Sequence, residues 1–127
     1  METSQLIEIA RRNVRPIALA RPDAQAATVG CALLAGNGRV YEGVCIHLPC
    51  GLGFCAEAAA IAAMLKDGET QITTIVAVTP DGILSPCGRC REMIVQLSQA
   101  NFSTRVLLPD GKDLPLSELL PHPWLTP

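Results

Sequence analysis

Apolar positions recur at helical spacing over the first part of the chain. From about Thr3 to Ile17, Leu6, Ile9, Ala10 and Val14 share one face, while Glu8, Arg11, Arg12 and Arg15 share the other. This predicts an amphipathic helix, closed off by Pro16 and Pro22. The period then changes. Thr28 to Ala35 is an apolar, partly β-branched run, Gly36-Asn37-Gly38 supplies turn chemistry, and Arg39 to Cys45 returns, so a hairpin is expected. His47 to Phe54 reads as an irregular loop and Cys55 to Lys66 as an alanine-rich helix. Ile72 to Val78 has the continuous apolar character of a strand buried on both faces. After the turn Pro80-Asp81-Gly82, a helix is predicted from Pro86 to about Ser98, with Cys90, Ile94 and Leu97 as its inner stripe. A short strand, Arg105 to Leu108, another turn at Pro109-Asp110-Gly111, and at most one helical turn at Ser117 to Leu120 complete the pattern. A hairpin followed by helix–strand–helix–strand predicts an α/β fold with a mixed sheet. The crossover rule puts the two later helices on one side of neighbouring parallel strands, so that their N-termini converge.

Composition narrows the function classes. At 127 residues, the chain is expected to form a single domain, 1–127, able to bury one core without disulfide staples. With 49% hydrophobic but only 3% aromatic residues, that core must come mainly from Ala, Val, Leu and Ile. A net charge of -2 argues against a nucleic-acid partner, and Arg11, Arg12, Arg15 and Arg21 read more simply as a solvated helix face. No secretory signal pattern is visible, and the longest apolar run, Ala58 to Leu65, is too short to span a bilayer. Six cysteines in that setting imply reduced thiols in a cytoplasmic protein rather than three bridges.

The candidate chemistry lies at the starts of the two later helices. Cys87 and Cys90 are three apart, on one face of a helical turn, and can grip one ion. Pro86 suits the first position of that helix, and a helix N-terminus biases the thiols toward thiolate. Cys55 could supply a third thiolate, with the Glu57 carboxylate beside it. Taken alone, Cys87-x-x-Cys90 is also compatible with a redox dithiol or half of a structural zinc site. Together, ligand-x-Glu followed by Pro-Cys-x-x-Cys matches the zinc-deaminase pattern, in which three protein ligands leave a fourth position open for water.

The chain resembles the cytidine deaminase family, including its blasticidin-S deaminase branch. The resemblance is carried by Thr28-Val29-Gly30-Cys31-Ala32-Leu33-Leu34, by Cys55-Ala56-Glu57, by the stretch Gly82 to Arg91 containing Ser85-Pro86-Cys87-Gly88-Arg89-Cys90, and by Leu116 to Pro121. It implies a three-layer α/β/α fold with a mixed, about five-stranded sheet, a homotetramer, and a zinc ion held by Cys55, Cys87 and Cys90. It further implies a small-molecule nucleoside substrate, with Glu57 as the catalytic proton carrier and the Ala56 amide and Ser85 carbonyl holding the ring's polar edges. Zinc lowers the pKa of bound water toward about 7. Glu57 would take the water's proton, pass it to the ring nitrogen and later protonate the departing ammonia.

Several positions depart from the family's pattern. The nucleoside-binding Asn and Glu fall at Cys45 and His47 after one deletion, the usual aromatic before Val-Gly is Ala27, and the Arg after ligand-x-Glu is Ala58. The Gln after the last Cys-Arg pair is Glu92. These changes bear on sugar recognition and on what offsets the charge of three thiolates, for which Arg89 or Arg91 is the candidate. His47 reads either as a surface residue or as a substrate contact; Cys31 and Cys45 read as small core residues, and Cys50 as a spare thiol. The leading reading is hydrolytic deamination of a cytosine nucleoside or related aminopyrimidine, as in pyrimidine salvage, with a blasticidin-S-type or other modified nucleoside as the alternative. A non-catalytic zinc module, closed by His47 or Cys50, is the rival of another class.

Overall fold

The computed structural model describes residues 1–126. In chain order the elements are α1 (Thr3–Arg12), β1 (Ile17–Ala18), β2 (Gln25–Ala35), β3 (Val40–His47), α2 (Ala56–Lys66), β4 (Ile72–Thr79), β5 (Gly82–Leu84), α3 (Gly88–Leu97), β6 (Arg105–Leu107), β7 (Asp113–Pro115) and α4 (Leu116–Leu119), with 3-10 turns at Gln99–Ser103 and Pro109–Gly111. The long hairpin partner β2 is the spine. It pairs antiparallel with β3 on one edge and with β4 on the other, while β4 pairs parallel with β6 and β6 antiparallel with β7. The short strands β1 and β5 pair beside β2 and β4 on edges that β4 and β6 use further along. The mixed sheet is therefore five strands wide although seven segments build it.

Alternation along β2 sorts the core into two layers. Cys31, Leu33 and Ala35 pack with Ala56, Ala60, Ile61 and Met64 of α2 and Ile94 and Val95 of α3. Ala32 faces the other way and joins Leu6 and Ala10 of α1, with Val76, Val78 and Leu107. This period-two division gives the α/β/α sandwich expected from the sequence. Both later helices do lie on one face. The parallel strands β3 and β4 are not neighbours, however, because β2 lies between them.

The helix boundaries differ from the periodic pattern for local reasons. Helix α1 stops at Arg12, not near Ile17: the Asn13 amide donates to the Ile9 carbonyl at 2.9 Å and to Glu42 Oε1 at 2.8 Å, capping the last turn. Pro16 disfavours helical backbone at Arg15, and Ile17 and Ala18 join the sheet instead. Helix α3 begins at Gly88 with Cys87 as its N-cap, so Pro86 precedes the cap rather than filling the first helical position.

Close approach of α2 to the sheet requires Gly43. A Cβ there would lie 2.5 Å from the Ala60 nitrogen and 2.6 Å from the Ala56 oxygen. Asn101, fully buried, fixes the other side: it accepts from the Ile72 N–H at 2.8 Å and donates to the Thr70 and Ile94 carbonyls at 2.9 and 3.0 Å. It thereby locks the end of α3 to the start of β4. Among the described residues, no helix is long and apolar enough to cross a membrane.

Candidate active site

Two helix N-termini meet on the α2–α3 face of the sheet. Cys55 is the N-cap of α2, Cys87 the N-cap of α3, and Cys90 lies in the first turn of α3. The Cys55 and Cys87 sulfurs are 3.6 Å apart, as are those of Cys87 and Cys90, and all three lie within 4.8 Å of one another. A tetrahedral zinc with bonds of about 2.3 Å separates its sulfur ligands by roughly 3.8 Å, so the trio fits that ion. Among the described residues, no other Cys, His, Asp or Glu joins the cluster.

Glu57 sits one residue into α2 and is only 4% exposed. Burial pushes its carboxyl above the usual carboxylate range, although its own backbone N–H and the Cys90 thiol favour the charged form. Burial, and after it the Glu57 charge, pushes the Cys90 thiol far up. Cys55 is raised by burial and by its contact with Cys87. Cys87 is also desolvated, but the first-turn N–H groups of Cys90 and Arg89 and the neighbouring thiols outweigh this, and its thiol is lowered. Three sulfurs and a carboxylate thus crowd one point. A divalent ion would offset that charge, and the donor set, all thiolate, suits zinc.

A cavity of about 460 Å³ opens onto this cluster. Cys55, Ala56, Glu57 and Cys87 line its floor, and Ser85, at the end of β5, its rim. Cys45 and His47, from the end of β3, line it as well. Of the candidate ligand, proton-carrying and substrate-binding residues, all but the buried Cys90 line this cavity; Arg91 and Cys50 do not. Cys45 is not free, however. Its sulfur accepts the Val29 N–H at 3.3 Å and contacts Thr28 Oγ1 at 3.2 Å. His47 and Arg89, which also line the cavity, are both exposed. Arg91 donates from Nε to the Pro86 carbonyl and from Nη1 to the Leu119 carbonyl, each at 2.9 Å, bracing the segment before α3 against α4.

Sequence reasoning missed the apolar walls: Val29, Leu48, Phe54 and Leu84. Phe54 is held by a bridge to Ile46, where Gly53 leaves room, since a Cβ would lie 2.0 Å from the Ile46 oxygen. A loop residue beside a ligand-x-Glu motif was the available signal for Phe54; the others depend on the folded register.

A family model, that of the cytidine and deoxycytidylate deaminase zinc-binding region, matches residues 4–105. The chain belongs to this family. It is 34% identical over 97 residues to a cytidine deaminase of Halalkalibacterium halodurans, covering 73% of this chain and 74% of that protein. It is 34% identical over 108 residues to a cytidine deaminase of Shewanella amazonensis, covering 83% of this chain but 34% of the relative, about a third of its length. The fold agrees with the crystal structure of cytidine deaminase from Mycobacterium tuberculosis at a TM-score of 0.83, with 25% identity over 99% of each chain. It agrees with that from Burkholderia pseudomallei at 0.78, with 26% identity over 98% of this chain and 100% of the other. The zinc-binding region named for the family includes the three-cysteine cluster and Glu57.

Proposed function

We propose that the chain is a zinc-dependent hydrolytic deaminase of a cytosine nucleoside or related aminopyrimidine, converting the amino-substituted ring carbon to a carbonyl with release of ammonia. The observation that carries this reading is a buried carboxylate, Glu57, beside three clustered sulfurs at the floor of a cavity. Cys55, Cys87 and Cys90 would hold the ion. Zinc supplies a water acidified toward neutral pH.

The chain's own residues do the rest. Glu57 accepts a proton from the attacking water, delivers it to the ring nitrogen, and returns a proton to the departing amine. Its raised pKa suits a group that must both hold and release a proton. The Ala56 N–H meets the ring carbonyl and the Ser85 carbonyl accepts from the exocyclic amine. Leu48, Phe54 and Leu84 exclude water from the ring. Overall, one water is consumed and one ammonia leaves.

A modified nucleoside, of the blasticidin-S type or another, is favoured over cytidine itself by Cys45, whose sulfur already bonds to β2 where the family pattern has an Asn for the sugar. A closed, non-catalytic zinc module fits less well: neither His47 nor Cys50 joins the sulfur cluster, and a structural site has no use for Glu57. The protein is further proposed to be a single domain acting in pyrimidine salvage in the cytoplasm, where its six free thiols stay reduced. It would act as a homotetramer, with the small exposed face of α2 at Ala62 permitting close subunit approach.

Two measurements test this reading. Metal analysis should find about one zinc per chain, lost from Cys55→Ala, Cys87→Ala and Cys90→Ala. Full retention by any of these variants removes that cysteine from the ligand set. An ammonia-release screen over cytidine, deoxycytidine, base-modified relatives and blasticidin S should find a substrate; a blank screen with zinc-replete protein overturns the activity.

A further inference from the structure

Of the three clustered cysteines, two face the cavity and one does not. Cys55, half-buried, and Cys87, exposed, line it, whereas Cys90 is fully buried. The Cys55 and Cys87 sulfurs stand 3.6 Å apart. A disulfide needs about 2.05 Å, so the pair must close by roughly 1.5 Å. Each of the two is a helix N-cap with extended backbone, φ −75° and ψ 155° at Cys55, φ −71° and ψ 168° at Cys87. A side chain there can turn without meeting a preceding helical turn. Cys90 is equally near Cys87, but it lies inside α3 and has no face on the cavity.

The other thiols stand apart from this pair. Cys31 is fully buried, Cys45 is buried and bonded to Val29 and Thr28, and Cys50 is exposed but does not line the cavity. Only Cys55 and Cys87 therefore combine a facing sulfur with a path from solvent.

From this we infer that Cys55 and Cys87 form a redox-modification site, which closes to a disulfide when a low-molecular-weight disulfide reaches the cavity mouth. The Cys87 sulfur attacks one sulfur of the reagent, forming a mixed disulfide and expelling one thiolate. The Cys55 sulfur then attacks the Cys87 sulfur and expels the second thiolate. Each cysteine sulfur gives up one electron, the reagent's S–S bond takes both, and no proton moves when both cysteines start as ligand thiolates. Two of three metal ligands are lost together, so oxidation empties the site. The Cys87-x-x-Cys90 spacing, which reads as a dithiol in the sequence, is not the pair that reacts. The inference rests on the three cysteines as the ligand set and is independent of what the site deaminates.

The test treats the zinc-loaded protein with millimolar oxidised glutathione and follows released zinc with a chromogenic chelator. Free thiols are then alkylated and a non-reduced tryptic digest is read by tandem mass spectrometry. Cleavage after Arg39, Lys66, Arg89 and Arg91 puts Cys55 in peptide 40–66, Cys87 in 67–89 and Cys90 in 90–91, so each link has its own mass. About one zinc per chain should be released, in step with a Cys55–Cys87 link. Dithiothreitol with added zinc should restore the metal content, and Cys50→Ser should behave as the parent. Zinc retained while Cys50 is glutathionylated, a link between Cys87 and Cys90 instead, or zinc release with no link at Cys55 overturns the inference. A Cys55–Cys87 link in protein that never holds zinc would sustain the reactive pair and defeat the ligand reading, so the two failures are distinguishable.

Discussion

Cys45 and His47 end the same strand but differ in freedom: the first is buried and bonded to β2, the second is exposed at the cavity wall. Restoring the family's polar pair with Cys45→Asn and His47→Glu should raise kcat/KM for cytidine by about tenfold or more, because two hydrogen bonds of ~1 kcal/mol each become available to the sugar. Steady-state kinetics decide this. If the parent already handles cytidine as efficiently as the double variant, these two positions do not set specificity. The clustering of Cys55, Cys87 and Cys90, with Glu57 beside them, was legible from sequence because zinc-deaminase chemistry demands particular residue types at fixed spacing. The state of Cys45 was not legible. It depends on which amide of β2 comes to lie opposite, and the irregular register between Ala26 and Gly30 hides that.

Helix placement carries the site, and two residues set it. Gly43→Ala would press a Cβ into the backbone of α2, so unfolding by denaturant should show a loss of about 1–3 kcal/mol. An unchanged midpoint would mean that α2 does not rest on β3 as described. Arg91→Ala should cost about 1–3 kcal/mol by removing two charge-assisted bonds to the Pro86 and Leu119 carbonyls. It should also weaken zinc retention, since the segment before Cys87 loses its brace; full stability and full zinc content together would contradict that role. Long elements were readable in the sequence because hydrophobic periods of eight or more residues are unambiguous. Strands β1, β5 and β7, of two or three residues each, carry no period and exist only because a neighbouring edge is available to them.

At the scale of the whole molecule, the sandwich brings two loops and two helix starts, distant in sequence, to one cavity. The α/β/α order was legible from the hairpin followed by alternating helices and strands. The insertion of β2 between β3 and β4 was not, because sequence order says little about spatial order when a strand can pair on both edges. Light scattering at micromolar concentration should report a tetramer; a monomer alone would remove subunit contacts from the account. The central claim, that Glu57 moves the protons of a hydrolytic deamination, is tested most directly by ammonia release from Glu57→Gln, assayed on the best substrate of the parent. The carboxamide fills the same space, so zinc content and fold should be retained while turnover falls by about 100-fold or more. A zinc-replete Glu57→Gln protein that releases ammonia at the parental rate would contradict the mechanism.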